Sequence, residues 1–408
     1  MTRTTSIKRL GWAIAASVVL AAPASQSHAA SYTPTNADEI LQKVPAQSDA
    51  RVHRYLDLQR RLAADTGNVG IADQLANAYI DFGRETGDVR YLGYAEAVIK
   101  PWSQQAAVPI PIAISYATIL QSRHAFAEAR NLLQEILKRA PNNLQGWLTL
   151  ATVAQVQGDI PAANHACMRS ADTGGPFFGI ACTAQLRLVT GHADHTYALL
   201  SQIEIGATGE PNAVKAWVEG LMADAAAYQG EFELAETHFR RALAELPGDN
   251  FLLAEYSDFL LDQNRPREAL DLLKGDTQSD TSYLRMAFAK VALKTPDAAM
   301  TVWTMAARFA AMDAVGSHLY QREQARFALS LQNDPHKALA LARENWIVQR
   351  APWDVRIYLQ AALAADKPEA AQPVLDFVEQ THLHSVQIDP LVDKARAAIS
   401  RNAAEKTP

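Results

Sequence analysis

Cysteine is nearly absent from this chain of 408 residues, which carries only Cys167 and Cys182. A disulfide-dense scaffold and a four-cysteine zinc module are thereby excluded. A positive surplus is missing too: 38 Lys and Arg stand against 44 Asp and Glu, a formal net charge of −6. Nucleic-acid binders gather basic residues on one face, so that class is not expected. No Gly-rich phosphate loop, His-Glu-x-x-His helix, nucleophile elbow or Cys-x-x-Cys occurs. The sequence therefore offers no frame for phosphoryl transfer, zinc hydrolysis, acyl transfer or thiol redox work, and no catalytic, cofactor or metal site is expected. After the first thirty residues, no apolar run reaches the ~20 residues of a membrane span. What is abundant is apolar content, at 49%, enough to build a sizeable core rather than a disordered chain.

The first thirty residues form an address. Arg3, Lys8 and Arg9 precede a short apolar run, Leu10 to Ala22, and Ser27-His28-Ala29 supplies small residues at a signal-peptidase spacing. This layout predicts a secretory signal peptide over 1–29, cleaved near Ala29 or Ala30. Pro23, Ser25, Gln26 and Ser27 break the run before it could serve as a retained anchor. No cysteine lies at the cut and no Arg-Arg pair precedes the run, so neither a lipoprotein anchor nor a twin-arginine route is indicated. Loss of three cations takes the mature chain to about −9. The expected location is outside the cytoplasm, periplasmic first and secreted second.

The remainder repeats. Gly230-Glu231-Phe232-Glu233-Leu234-Ala235-Glu236, followed by Phe239, Ala242 and Pro247, has the same order as His124-Ala125-Phe126-Ala127-Glu128-Ala129 with Leu133, Ile136 and Pro141. Gly158-Asp159-Ile160-Pro161-Ala162-Ala163 follows it, as do Asn264-Arg265-Pro266-Arg267-Glu268-Ala269 and Asp334-Pro335-His336-Lys337-Ala338. Ahead of such a run, Trp147 to Ala154 alternates large and small apolar residues at helical spacing. The physical unit is a helical hairpin. A Gly, Asn or Asp turn reverses the chain, and an alanine early in the second helix lets the two helices approach. Neither helix can bury its stripe alone, so hairpins must stack.

These features resemble the tetratricopeptide repeat (TPR), a helix–turn–helix unit of about 34 residues. The resemblance implies an exported bacterial TPR protein: an all-α, right-handed superhelical solenoid of antiparallel helix hairpins. First helices are placed near Ile110, Leu144, Phe177, Ala216, Asn250, Asp280, Leu319 and Pro352, after an earlier unit at Gly70 to Trp102. The organisation expected is signal peptide 1–29, N-terminal segment and leading helix 30–69, repeat array 70–382, and C-terminal helix with a polar, frayed tail 383–408. Residues 177–210 put Thr196 where alanine is expected, and 280–313 drifts in spacing.

Such arrays hold a protein or peptide on the concave face, and the resemblance implies that role. The inward positions are Trp217, Asp224, Tyr228, Phe251, Asp258, Asp262, Tyr320, Glu323 and Phe327, an acidic and aromatic lining suited to a basic, partly apolar partner. One subclass clamps a terminal carboxylate with inward Lys and Asn. The matching positions here are Ile114, Thr118, Leu148, Thr152, Gly220, Asp224, Ala254 and Asp258, none of them Lys or Asn, so that mode is not expected. Cys167 and Cys182 are read as a disulfide between adjacent helices, as two buried thiols or as a redox pair, the last disfavoured by the lack of a Cys-x-x-Cys. His192-Ala193-Asp194-His195 and His382-Leu383-His384 read as surface turns, two nitrogens each being too few for zinc. The alternative function is an accessory carrier of a small ligand or metal ion through His192, Asp194 and His195. A third is a self-assembling architectural subunit.

Overall fold

The computed structural model describes residues 50–105, 107–203, 211–275, 279–316 and 319–405; the signal-peptide region 1–29 lies outside them. Among the described residues there are twenty α-helices and no strand. A leading helix α1 (Ala50–Ala64) precedes nine hairpins. They are α2/α3 (Val69–Thr86, Arg90–Ser103), α4/α5 (Ile110–Ser122, Phe126–Arg139), α6/α7 (Leu144–Val156, Ile160–Gly174) and α8/α9 (Pro176–Leu188, Ala193–Leu200). Then come α10/α11 (Asn212–Gln229, Phe232–Glu245), α12/α13 (Asn250–Asp262, Pro266–Leu272), α14/α15 (Asp280–Leu293, Ala298–Ala314) and α16/α17 (Gln321–Ser330, Pro335–Val348). The last pair is α18 (Pro352–Ala364) and α19 (Gln372–Thr381), joined through a 3-10 turn at Pro368–Ala371, and α20 (Asp389–Glu405) follows.

One residue in the left-handed region makes every reversal. Gly87, Gly158, Gly191 and Gly230 serve four hairpins; His124, Asn264, Lys294, Asn333 and Asp366 serve the others. Glycine accepts this conformation freely and Asn or Asp with modest cost, which is why the repeat keeps those residues at its turns. Five residues later the second helix presents a side chain with no room around it. Ala129, Ala163, Ala235, Ala269 and Ala338 are all essentially inaccessible there. Thr196 fits the same slot because its Oγ1 donates to the Ala184 carbonyl at 3.3 Å. In α14/α15 the second helix starts four positions after Lys294, against two in most hairpins and three after Gly87. That insertion is the physical source of the drifting spacing at 280–313. First helices begin where side-chain caps allow: Asn143 accepts from Gly146 N at 2.7 Å, and Asp249 from Leu252 N at 3.1 Å.

The array then meets itself. The α2/α3 turn at Gly87 packs on Ser279 and Asn250, and Arg84 lies 3.8 Å from Asp249. Further along, Arg350 N donates to the Val156 carbonyl at 2.7 Å, and Gly158 sits on Arg350 and Phe377. Gly191 lies against the His382 carbonyl, and Val386 N donates to Tyr228 O at 3.0 Å. The offsets run from about 160 to about 220 residues, so roughly five hairpins complete one turn of the superhelix. The linker between α19 and α20 belongs to this seam: Leu383, Ser385 and Ile388 are buried, and α20 packs Val392 and Ala395 inward and is helical to Glu405.

Candidate binding lumen

Because the array turns through a full circle, the first helices face one another across a narrow interior. The acids that α12 and α16 send inward meet arginines from neighbouring first helices. Arg285 on α14 donates Nε and Nη2 to Asp258 Oδ2 at 3.2 and 2.7 Å, and Nη2 also reaches Glu323 Oε1 at 3.2 Å. Arg326 on α16 donates Nη2 to Asp258 Oδ1 at 2.7 Å and Nη1 to Glu323 Oε2 at 3.3 Å. Asp258, Arg285 and Glu323 are 3%, 4% and 5% exposed. Burial by itself would raise the Asp258 carboxyl, but Arg285 and Arg326 hold it well below the ordinary range. The same contest takes Glu323 down to about 2. Arg322 adds its charge between Glu323 and Asp354, at 3.5 and 3.8 Å. Asp354 also accepts from Asn345 Nδ2 at 2.8 Å and from Ala351 N at 2.7 Å. Nearer the rim, Arg356 on α18 forks onto both oxygens of Asp262, 94 residues away. The Trp353 ring lies between Arg326 and Arg356, whose guanidinium carbons are 4.4 and 4.5 Å from its centroid.

Two lumenal carboxylates have no such ion-pair partner among the described residues. Asp224 on α10 and Glu255 on α12 are partly open to solvent yet enclosed by protein. Burial pushes Asp224 up to about 7. Glu255 is also raised well above the ordinary carboxylate range, by burial first and then by the charges of Asp224 and Asp258, with Arg322 opposing. Tyr228, one turn beyond Asp224, is raised by burial and by both acids.

The expected groove residues thus divide. Asp224 and Tyr228 line the lumen without an ion-pair partner among the described residues. Asp258, Asp262 and Glu323 are occupied by the chain's own arginines, so they offer no free charge to a ligand. Trp217 is half-buried and donates Nε1 to Gln185 Oε1 at 3.1 Å. Phe251 is exposed at the start of α12, and Tyr320 precedes α16, half-buried. Phe327 is 3% exposed, packs edge-on against Phe309 and borders with it a cleft of about 220 Å³ that includes none of the other expected groove residues. Sequence reasoning missed Arg285, Arg322, Arg326, Arg356 and Glu255. Their inward positions on successive first helices were a visible signal, obscured because only acids and aromatics were weighed.

Cys167 on α7 and Cys182 on α8 are joined as a disulfide, with Cα atoms 5.3 Å apart, tying one hairpin to the next. His192 and His195 have ring centroids 5.8 Å apart and border an open cleft of about 640 Å³ with Asn164 and Arg187. The seam brings the His382–His384 segment to the neighbouring Gly191 turn. Among the described residues, no three His, Cys, Asp or Glu side chains are grouped as a metal site. No helix among them is long and apolar enough to cross a membrane.

The geometry is that of a TPR-like helical solenoid, and a solved structure shares the fold. A chain of the APC/C hetero-tetramer Cut9-Hcn1 superposes with a TM-score of 0.51 at 12% identity, over 85% of this chain and 67% of that one. Human IFIT1, solved as a dimer with PPP-AAAA, gives 0.46 at 13% identity over 87% and 95%. Yeast Tom70 gives 0.39 at 9% over 87% and 86%. No family model matches the chain. No curated protein matches it either.

Proposed function

We propose that this chain is a non-enzymatic scaffold or adaptor, exported to the periplasm, that holds a protein or peptide partner by a basic segment entering the lumen beside Asp224, Tyr228 and Glu255. The observation that carries this reading is the imbalance of the interior. Asp258, Asp262, Glu323 and Asp354 each have an arginine, whereas Asp224 and Glu255 face one another's charge with no ion pair among the described residues. A lysine or arginine from a partner would relieve that repulsion and find Tyr228 alongside. The N-terminal pattern of charge, apolar run and small residues supports export. The cleft bordered by Arg187, His192 and His195 favours a second reading, a carrier of a small anionic ligand or metal ion.

The test is crosslinking and affinity capture from a cell-envelope extract, comparing the chain with its Asp224→Asn, Glu255→Gln double variant. These neutral near-isosteres leave the buried network untouched. A partner held by the chain and reduced at least tenfold by the double variant supports the lumen. A partner retained equally by both moves the binding surface elsewhere. Stoichiometric metal in tag-free protein with no protein partner favours the carrier.

A further inference from the structure

The cleft between α7 and α8 holds an arginine with no countercharge. Thr183, Leu186 and Arg187 share one face of α8, with Thr190 just beyond its end. Opposite them the first turns of α7 supply Ile160, Pro161 and Asn164, and His192 and His195 form the rim at the start of α9. The Cys167–Cys182 bridge ties α7 to the residue before Thr183, so the two walls are held together covalently. Among the described residues, no acid lines this cleft. The Arg187 guanidinium, half-buried, and the Thr183 hydroxyl have no hydrogen-bond or ion-pair partner among them. Of the acids at the two helix starts, Asp159 pairs with Arg130 at 2.6 Å, and Asp194, exposed, lies 3.7 Å from His195 Nδ1.

Backbone chemistry narrows the anion that such a cation would take. A phosphate cradle uses free N–H groups at a helix start. Pro161 has none, and the Ala162 N–H is donated to Asp159 Oδ1 at 3.1 Å. The His192 N–H likewise goes to the Arg187 carbonyl at 3.1 Å. What remains is one planar guanidinium fork, the match for a single carboxylate. Beside it, Ile160, Pro161 and Leu186 line an apolar stretch, and about 640 Å³ gives room for a small organic body. We propose that this cleft binds a small monocarboxylate with an apolar body, its carboxylate on Arg187 and Thr183 and its body along Ile160, Pro161 and Leu186. The proposal rests on the carrier reading of the cleft and gives it a ligand class, an organic acid rather than a metal ion.

Isothermal calorimetry of the purified chain with hexanoate, phenylbutyrate and indoleacetate tests it, beside uncharged phenylbutanol, inorganic phosphate and zinc chloride. At least one carboxylate should bind with a Kd below about 1 mM, and about tenfold or more tighter than phenylbutanol, phosphate or zinc. Arg187→Gln should weaken that binding about tenfold or more with unchanged circular dichroism, whereas Asp224→Asn, in the lumen, should leave it unchanged. Should Arg187→Gln fail to fold, titration of the unaltered chain carries the same test through the imidazole resonances of His192 and His195, which should move with the carboxylate and stay still with phenylbutanol. Phosphate or zinc bound in preference to every carboxylate would keep the carrier and overturn its ligand class. Carboxylate binding indifferent to Arg187→Gln, or with the two imidazoles unmoved, would overturn the site. No binding of any probe would overturn the carrier reading together with the proposal.

Discussion

Replacing Asp224 by asparagine should stabilise the protein, and only above a defined pH. The folded chain holds the Asp224 proton up to about pH 7, against an ordinary value of 3.8, because its carboxylate is desolvated in the lumen. Unfolded, the same group loses its proton near pH 4. Between those two values the unfolded state releases a proton that the folded state keeps, so stability falls as pH rises and stays reduced above 7. A shift of that size corresponds to about 4 kcal/mol, and solvent reaching the partly open side chain reduces it to about 2 kcal/mol. The amide introduced by Asp224→Asn does not titrate, and it also relieves the repulsion on Glu255. Urea unfolding midpoints of the two proteins should coincide near pH 4 and separate in favour of the variant by about 2 kcal/mol near pH 8. A variant that is less stable near pH 8, or an offset that is the same at every pH, would refute the unpaired, desolvated carboxylate.

The buried network should respond in the opposite sense. Glu323 is held at about 2, so its contribution is complete above its unfolded value and is lost as pH falls through the range from 4.5 to 2. Glu323→Gln leaves Arg285 and Arg326 short of countercharge and should cost about 3 to 5 kcal/mol near neutral pH; a loss below ~1 kcal/mol would contradict the paired geometry. Gly191→Ala puts a Cβ into the His382 carbonyl at a φ of 74°. It should destabilise by about 2 kcal/mol or more and strip hydrogen-exchange protection from the Val386 amide, which donates across the seam. Full protection of that amide in the variant would mean that the seam does not depend on the close approach.

Local chemistry was legible in the sequence because each hairpin is a short-range object. The starts of the first helices at Ile110, Leu144, Asn250, Asp280 and Pro352 coincide with the helices themselves. A left-handed turn residue followed by a small side chain five positions on is decided within one unit, by sterics alone. The nearness of Cys167 and Cys182 also follows from adjacent helices of neighbouring hairpins, where the two are bonded.

What tertiary structure alone decided is where the inward charges end. Asp258 and Arg326 are 68 residues apart and Asp262 and Arg356 are 94 apart, so no local pattern couples them. The acidic lining read from one helix at a time looked free for a ligand. The rotation accumulated per hairpin brings arginines from later repeats onto it and closes the array after about five units. Whether an inward carboxylate is neutralised or left alone depends on that accumulated rotation, a small angle per repeat set by how alanines and aromatics pack between hairpins. Asp224 and Glu255 remain unpaired because, among the described residues, no cation of another first helix reaches ion-pair distance of them. The local sequence thus determined the hairpins, their turns and their packing alanines, and the curvature of the stack determined which of their inward carboxylates are paired.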